Sequence, residues 1–301
     1  MTHLATAPGG FDNAEMHHVL RQACALVGLD PAGARLLRGH TNAVILLPRE
    51  QTVVKIARRG TRTEDVARTV AFVRHLTQLG FPTVTLHPVA QPVITDGHAT
   101  TFWHYLPQPP HPVTAAQLAT PLHTLHTLPT PPLPLPHHDN IAAIRRSLAT
   151  THWLPKPTHT FLAHYTDQLA HALTTLAFAL PDGVLQGDPQ HRNALHTANG
   201  QAVLCDWDTV TRGHPEWDLV TVEIHCRRFG HGQKHYQAFA DSYGFDITRW
   251  SGYPTLTAIR ELRMITTNAR KVPQAPSSQR EVERRIAALH RNDRHQQWNI
   301  L

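Results

Sequence analysis

Two short apolar runs that each end in acidic or amide side chains constrain the fold of this chain more than any other feature. Val184-Leu185 leads into Asp188 and Asn193, and Val203-Leu204-Cys205 leads into Asp206. Both runs have the length and the β-branched content of buried strands. A proline directly after Asp188 keeps the connection to Asn193 out of regular structure. The sequence therefore predicts two strands whose polar ends lie in loops.

An Asn-Gly pair, Asn199-Gly200, lies between the two runs and is the strongest short-range signal for a β-hairpin. A hairpin at this position would bring Asp188, Asn193 and Asp206 to the same side of a small sheet. Asp and Asn are common turn formers, so turn chemistry alone would explain any one of them. The joint spacing is rarer than a polar turn and favours a shared chemical role.

Two carboxylates and one amide at this spacing suit phosphoryl transfer. Asp188 would orient an attacking hydroxyl and accept its proton, which makes it the candidate catalytic residue. Asn193 and Asp206 would hold Mg²⁺, a hard cation that prefers oxygen ligands and keeps several waters. Asp208, two residues beyond Asp206, is a further candidate metal ligand.

These residues resemble the motifs of the aminoglycoside phosphotransferase family, which shares its fold with protein kinases and choline kinases. The family's loop has His-Gly-Asp, four residues and Asn, followed by a strand and Asp-x-Asp. This chain has Gln186-Gly187-Asp188, then Asn193, and then Asp206-Trp207-Asp208. Gln186 replaces the usual His at a position that supports the loop through hydrogen bonds, so we expect Gln to serve there.

The resemblance implies an α+β fold of the bilobal, protein-kinase-like type. A small β-rich N-terminal lobe that binds nucleotide would span residues 1–106, and a larger, mainly helical lobe for catalysis and acceptor binding would span residues 107–301. Proline-rich residues 107–112 mark the boundary. Apolar spacing predicts the individual elements. Helices are expected at 14–27, 63–79, 114–128, 139–149, 157–180, 218–228, 233–245, 255–270 and 277–292, and N-terminal strands at 36–37, 43–47, 52–56, 93–94 and 100–106.

A lysine inside an apolar strand is the main candidate for phosphate binding. Lys55 is the single cation of the run Val53-Val54-Lys55-Ile56, and an unpaired buried ammonium is costly. In the family a strand lysine contacts the α- and β-phosphates, and Lys55 resembles it. An edge-strand lysine that prevents aggregation is the alternative. The turn that carries Gly39 and Asn42 would offer backbone N–H groups to phosphates, although an ordinary hairpin explains Gly39 equally well.

The end of the strand at 100–106 resembles the hinge between kinase lobes. Backbone groups of four residues there would hydrogen-bond adenine, and such contacts do not need the side chains. An aromatic-rich strand is more often part of the core. The four residues are Trp103, His104, Tyr105 and Leu106.

In kinase-like folds a glutamate on the helix after the lysine strand pairs with that lysine. Thr69 occupies the position where the resemblance would place this glutamate. Glu64 and Asp65 are the acidic residues nearby, and we take Glu64 as the candidate partner of Lys55. Favourable interaction of first-turn acids with the helix dipole is the alternative explanation.

Three further acidic residues follow the second motif. The resemblance gives Asp218 a structural role, in which it braces the catalytic loop much as a buried cap would. Glu216 and Glu223 would face a cationic or hydroxyl-rich substrate, or they are surface charges. The helix at 277–292 is rich in charge, and we expect it to be a solvated amphipathic helix that closes the lobe.

The formal net charge of +6 favours anionic ligands. Nucleotide phosphates satisfy this preference, and the absence of a run of five or more Lys and Arg argues against nucleic acid. Three cysteines form no disulfide framework, which favours a reducing compartment. Neither a signal segment nor a membrane-length apolar run is apparent, so we expect a cytoplasmic protein with no membrane partner.

The chain contains 25 histidines, many in stretches rich in Pro and Thr. His123 and His126 are three residues apart and would share a helix face, as metal ligands do. No Cys pair and no His-x3-His with a nearby Glu supports a zinc site. We therefore expect most of these histidines to face solvent, with a metal site as the alternative.

The resemblance implies an ATP-dependent phosphotransferase with ATP (or GTP) and Mg²⁺ as cofactors. Its partners would be the nucleotide and a small-molecule hydroxyl acceptor, and its oligomeric state stays open. A hydroxylated antibiotic, in a resistance role, fits the family best. A sugar, nucleoside or amino-alcohol kinase is the second possibility, and a non-catalytic nucleotide-binding regulatory protein is the third.

Overall fold

The computed structural model describes residues 12–39 and 42–301. His40 and Thr41, which belong to the glycine-bearing turn predicted from the sequence, lie outside the described residues. The chain forms two units. The first comprises residues up to Pro112 together with 131–133 and 195–208, and the second comprises residues 113–130, 134–194 and 209–301.

A five-stranded antiparallel sheet forms the first unit, with strand order β1-β2-β3-β5-β4. The sequence predicted all five strands, because apolar runs and turn residues alternate along this part of the chain. The Asp96-Gly97 turn joins the last two strands, and both of its residues have positive φ. The strands are β1 (Arg35–Arg38), β2 (Ala43–Leu47), β3 (Thr52–Ile56), β4 (Val93–Thr95) and β5 (His98–His104).

Two helices flank this sheet in the sequence, as predicted. Helix α1 (Asn13–Val27) begins after Asp12, whose side chain accepts a hydrogen bond from the N–H of Ala14. Its apolar side packs against Val54 and Ile56 of β3 in a buried cluster. Successive side chains of a strand point to opposite faces, so the neighbouring Lys55 lies on the other face of the sheet. Helix α2 spans Thr63–Gln78.

Four short strands lie in the second half of the chain. They are β6 (Gly183–Leu185), β7 (Ala194–His196), β8 (Ala202–Leu204) and β9 (Thr211–Gly213). The Asn199-Gly200 turn does form a hairpin, but it joins β7 and β8. Strand β6, which contains the first apolar run, pairs instead with β9. The Asn-Gly pair therefore predicted the hairpin correctly. It could not predict the partner of β6, because β9 follows the hairpin in the sequence.

Helices dominate the second unit, close to their predicted positions. One boundary is wrong: α5 ends at Thr174 rather than near 180. The N–H groups of Ala179 and Leu180 donate to the Glu216 carboxylate rather than to helical carbonyls. Thr114 and Gln117 form a capping box at the start of α3. The helices are α3 (Ala115–His126), α4 (Asn140–Ala149), α5 (Lys156–Thr174), α6 (Glu216–Arg228), α7 (Gln233–Tyr243), α8 (Tyr253–Lys271) and α9 (Gln279–His290).

The charged helix α9 is not simply solvated. Glu281 and Arg285 are both buried, and the Arg285 guanidinium donates to the Glu281 carboxylate over 2.8 Å. That guanidinium also lies over the ring of Trp298, 4.4 Å from its centroid. The expectation of a fully solvated charged face was therefore wrong for these two residues. Glu281 and Arg285 can be buried because each charge interacts with partners in the protein.

Among residues 12–39 and 42–301, no helix combines the length and the apolar character that a membrane span requires.

Candidate active site

Lys55 on β3 lies between two carboxylates of the first unit. Its Nζ is 2.7 Å from Asp206 Oδ1 and 2.8 Å from Asp208 Oδ2, and its side chain is 15% exposed. We call these three residues the lysine cluster. Burial alone would lower the pKa of Lys55, but the two negative charges outweigh burial and raise its pKa above the ordinary value. The lysine is therefore fully charged at neutral pH.

Asp206 is held in an uncommon backbone conformation. Its φ is 59°, in the left-handed region that residues other than glycine seldom adopt. The charge of Lys55 lowers the pKa of the Asp206 carboxyl, although burial acts in the opposite direction. Such backbone strain concentrates at functional positions, where surrounding structure over-determines it. The carboxylate is therefore ionised and fixed in direction.

Trp207, between the two aspartates, anchors them to the core of the first unit. It is fully buried, its indole N–H donates to Thr83 Oγ1 over 2.8 Å, and Phe72 and Phe81 pack edge-on against it. Sequence reasoning missed this role. The signal was available, because a large aromatic residue between two aspartates has to be buried if both acids are to face the same way.

Asn42 extends the lysine cluster. Its side-chain amide donates to Asp208 Oδ2 over 2.9 Å. The structure thus brings the predicted residues Asn42, Lys55, Asp206 and Asp208 together in one unit. Gly39 is described by the structure, but the turn that follows it is not, so its contact with phosphate stays a prediction.

The acidic partners of Lys55 correct one prediction. Glu64 lies at the start of α2 with its carboxylate 3.6 Å from Arg62, and its side chain is largely exposed. Thr69, at the position where the resemblance places a glutamate, donates to the backbone carbonyl of Asp65. The Lys55 ammonium forms ion pairs with Asp206 and Asp208 instead, so Glu64 is not its partner in this structure.

The end of β5 has fewer backbone groups available to adenine than expected. The N–H of His104 donates to Thr85 O over 3.0 Å, and the N–H of Tyr105 donates to Gln51 O over 2.9 Å. Trp103 is buried, and its indole donates to Thr101. A contact between this segment and adenine therefore has to use carbonyl groups or the N–H of Leu106.

The loop of residues 186–193, which we call the catalytic loop after the role predicted for Asp188, belongs to the second unit. Asp188 Oδ1 accepts a hydrogen bond from Arg260 over 2.7 Å, and Oδ2 accepts from Gln190 over 2.7 Å and from Asn193 over 3.3 Å. Asn193 also donates to the backbone carbonyl of Asp188. Its amide nitrogen thus faces the loop, and the amide oxygen is the atom that can bind a cation. The Asp188–Asn193 pairing expected from sequence is present.

Buried polar groups hold the base of this loop. The Asp218 carboxylate accepts from the N–H groups of Gln186 and Gly187 over 2.7 and 2.9 Å. The side-chain oxygen of Gln186 accepts from the N–H of Asp188 over 2.7 Å. The bracing role of Asp218 and the supporting role of Gln186 are therefore both present. Gly187 has a φ of 85°, and a Cβ at this position would overlap the carbonyl oxygen of Thr209.

Arg260 is the second residue that sequence reasoning missed. It lies on α8, is 9% exposed, and donates to Thr221 Oγ1 as well as to Asp188. On the helix it stands among the buried residues Leu256, Ile259 and Leu262. An arginine on the apolar face of a helix was the available signal, since a buried guanidinium requires an acidic partner.

Two other predicted roles change. Glu216 is fully buried and accepts from two backbone N–H groups of the segment after α5. Glu223 is buried and pairs with Arg227. Neither residue is a surface charge, and neither carboxylate is placed to meet a substrate.

His126 bridges Asp218 and the Tyr243 hydroxyl, which assigns it to the support of the loop rather than to a metal.

The fold is similar to those of solved kinases. An amicoumacin kinase, hAmiN, in complex with AMP-PNP, Ca²⁺ and Ami has 15% sequence identity and a TM-score of 0.71 over 94% of this chain and 95% of that chain. The choline kinase LicA from Streptococcus pneumoniae has 15% identity and a TM-score of 0.65 over 91% and 99%. A GDP complex of aminoglycoside 2′-phosphotransferase-IIIa has 14% identity and a TM-score of 0.67 over 91% and 98%.

A kinase-like fold with these polar residues defines a small-molecule phosphotransferase. The sequence model of the phosphotransferase enzyme family (APH) matches residues 33–253, and the chain belongs to this family. The resemblance seen in the sequence motifs is thereby confirmed. No curated protein sequence matches the chain significantly.

Proposed function

We propose that this phosphotransferase moves the γ-phosphoryl group of ATP to a hydroxyl group of an antibiotic, in a resistance role. The observation that carries the proposal is the state of Asp188. Its carboxylate is fixed by Arg260, Gln190 and Asn193, yet the side chain is still 32% exposed. An acidic group that is both oriented and accessible suits the binding of an incoming hydroxyl.

Asp188 would accept a hydrogen bond from the acceptor hydroxyl and take its proton late in the reaction. A bond forms between the hydroxyl oxygen and the γ-phosphorus, the bond between this phosphorus and the bridging oxygen breaks, and ADP leaves. Most of the catalysis comes from positioning, because little covalent chemistry falls to the protein. Arg260 would keep the carboxylate in place while the proton moves.

The donor atoms near the motifs suit Mg²⁺. Asn193, Asp206 and Asp208 offer only oxygen to a cation, and the lowered pKa of Asp206 keeps that carboxylate ionised at neutral pH. Mg²⁺, when bound, would neutralise charge on the phosphates. Lys55 would contact the α- and β-phosphates. Its charged ammonium already pairs with two carboxylates and can interact with a further anion at the same time. GTP would satisfy the same contacts.

The antibiotic acceptor rests on the family and on its relatives. The similar structures include an amicoumacin kinase and aminoglycoside phosphotransferases. The similarity to a choline kinase supports an amino-alcohol or other metabolite kinase as the second candidate. A regulatory protein that binds nucleotide without catalysis is disfavoured, because such a protein has no need for an oriented and accessible carboxylate such as that of Asp188.

A panel assay separates these functions. Purified protein with ATP or GTP and Mg²⁺ is incubated with hydroxylated antibiotics, sugars, nucleosides and amino-alcohols, and phosphorylated products are detected by mass spectrometry. We expect a phosphorylated antibiotic and turnover well above the acceptor-free rate. Turnover of metabolites alone would replace the antibiotic assignment, and nucleotide binding without turnover of any acceptor would contradict the proposed chemistry.

A further inference from the structure

Three histidines of the second unit converge beside the catalytic loop. His191 belongs to that loop, His231 precedes α7, and His235 lies on α7. One ring nitrogen from each lies within 4.8 Å of those of the other two. We call these residues the histidine cluster. His231 and His235 are four residues apart, but His191 lies 40 residues before His231, so spacing along the sequence did not reveal the set of three.

The three rings are stacked rather than spread. The ring centroids of His191 and His231 are 4.3 Å apart, and those of His191 and His235 are 4.9 Å apart. The Nε2 atoms of His191 and His235 form a hydrogen bond of 2.7 Å. Stacking accounts for the parallel planes, but it does not require ring nitrogens to converge on one point.

His191 is also incompletely satisfied. It is 6% exposed, and its Nδ1 has no hydrogen-bond partner among the described residues. A buried polar atom without a partner is costly. The hydrogen bond between the two Nε2 atoms explains why His191 and His235 approach each other. Neither that bond nor stacking explains why a nitrogen of His231 also lies within 4.8 Å of both rings' nitrogens, or why Nδ1 of His191 has no partner in the described part of the chain.

We propose that the histidine cluster binds one divalent transition-metal ion of the zinc type. Imidazole nitrogen is the preferred ligand of such ions, whereas Mg²⁺ prefers oxygen, so this site is separate from the proposed Mg²⁺ site. Three histidines leave a fourth position for water in a tetrahedral set. His231 is exposed and provides an entry path for the ion.

Binding requires the rings to rotate out of their stack, because a metal lies in the plane of each imidazole that binds it, and the exposed His231 can rotate most readily. Zn–N bonds of about 2.0–2.1 Å in a tetrahedral set place nitrogens roughly 3.3 Å apart, so the nitrogens of His191 and His235 have to separate by a few tenths of an ångström. The N–H of Ala115, which donates to His235 Nε2 over 3.1 Å, lies in the first turn of α3. This N–H has no partner within the helix, and because Ala115 is buried, the loss of its acceptor when His235 binds an ion is a cost of binding.

An ion at this site would restrain the catalytic loop. His191 is three residues from Asp188 and two from Asn193, so a metal–nitrogen bond at His191 fixes the middle of the loop to α7. The proposal itself does not depend on phosphoryl transfer, since metal binding is measured in the absence of nucleotide and acceptor.

Binding of Zn²⁺ or Co²⁺ alone to metal-free full-length protein tests the proposal. We expect one tight equivalent of Zn²⁺ in competition with a chromophoric chelator, and a Co²⁺ visible spectrum typical of tetrahedral coordination. His231→Ala should lower the apparent affinity at least about tenfold, since even loss of an outer-shell partner costs that much. His171→Ala, which removes an exposed histidine on α5, is the matched control and should bind as the wild type does.

A second variant keeps the test independent of stability. His231→Cys replaces one ligand by another, so it should retain one equivalent of metal, and its Co²⁺ form should gain a sulfur-to-cobalt charge-transfer band. Both results would support a site at this position. Unchanged Zn²⁺ affinity in His231→Ala, an equal loss in His171→Ala, or a Co²⁺ form of His231→Cys without the new band would overturn it.

Discussion

The lysine cluster and the catalytic loop are held in place by different forces. In the lysine cluster, opposite charges lie side by side, and one buried aromatic residue, Trp207, fixes the two acids. In the catalytic loop, backbone N–H groups are held by buried acceptors, chiefly Asp218 and Gln186. Charge attraction tolerates movement of its partners, whereas backbone hydrogen bonds do not. We therefore expect the lysine cluster to be sensitive to charge and pH, and the catalytic loop to be sensitive to changes in backbone geometry.

Removal of the aromatic anchor should have the largest effect. Trp207→Ala leaves a cavity beside Phe72 and Phe81, and we expect a loss of about 3–5 kcal/mol in the free energy of unfolding. Urea denaturation measures it. Trp250→Ala, which removes a half-buried indole that stacks on Phe178, should cost clearly less; equal losses would mean that Trp207 is not a special anchor.

Loss of the loop's buried acceptor should come next. Asp218→Ala leaves the N–H groups of Gln186 and Gly187 without their acceptor, and each buried donor left unpaired costs about 1–3 kcal/mol. We expect a total loss of about 2–4 kcal/mol, measured in the same way. Asp241→Ala, at an exposed position of α7, should stay within about 0.5 kcal/mol of the wild type. A neutral Asp218 variant would show that the loop does not depend on this carboxylate.

Two glycines with the same sign of φ separate backbone strain from steric overlap. Gly187→Ala places a Cβ against the Thr209 carbonyl, whereas Gly200→Ala at the hairpin meets no atom within 4 Å. Both variants bear the cost of a left-handed alanine, about 1–2 kcal/mol. Gly187→Ala should be less stable than Gly200→Ala and should also lose turnover. Equal melting temperatures for the two variants would exclude the overlap as a determinant of loop geometry.

The smallest effect concerns pH and belongs to the lysine cluster. Since Lys55 lowers the pKa of Asp206 in the folded state, the pair stabilises the protein above the unfolded pKa of roughly 3.9, and this stabilisation disappears as the pH falls through the folded pKa. In Lys55→Met, burial would instead raise the pKa of Asp206. The difference in Tm between the two proteins should therefore shrink from about pH 7 to about pH 3.

Lys156→Met, which removes an exposed charge at the start of α5, is the control for this series and should show little pH dependence. A Tm difference for Lys55→Met that is constant across the same pH range would show that the lysine cluster does not rely on charge.

The sequence predicted what local patterns encode. Strand alternation identified β3 and with it Lys55, the Asn-Gly pair identified the hairpin, and the spacing of Asp188 and Asn193 identified the loop. Each of these signals lies within about a dozen residues, where periodicity and turn chemistry act. Local physics therefore provided most of the elements and the motif residues.

Contacts between distant residues were beyond such patterns. Arg260 reaches Asp188 across 72 positions, and Trp207 reaches Thr83 across 124. The acidic partners of Lys55 were misassigned because the prediction looked for one on the nearest helix. Glu216 is an example of a buried charge whose partners come from a distant part of the chain. The sequence shows that such a residue is charged, but it does not show whether the residue is buried or exposed.

The central claim is that Asp188 carries the chemistry while the lysine cluster carries the nucleotide. It is tested most directly by steady-state turnover and nucleotide affinity of Asp188→Asn, which keeps the size and one acceptor oxygen of the side chain. The account predicts a fall in kcat of about 10²–10⁴-fold with nucleotide Kd almost unchanged, while the exposed Asp167→Asn control behaves as wild type. Full turnover in Asp188→Asn, or a loss of nucleotide binding as large as the loss of turnover, would contradict it.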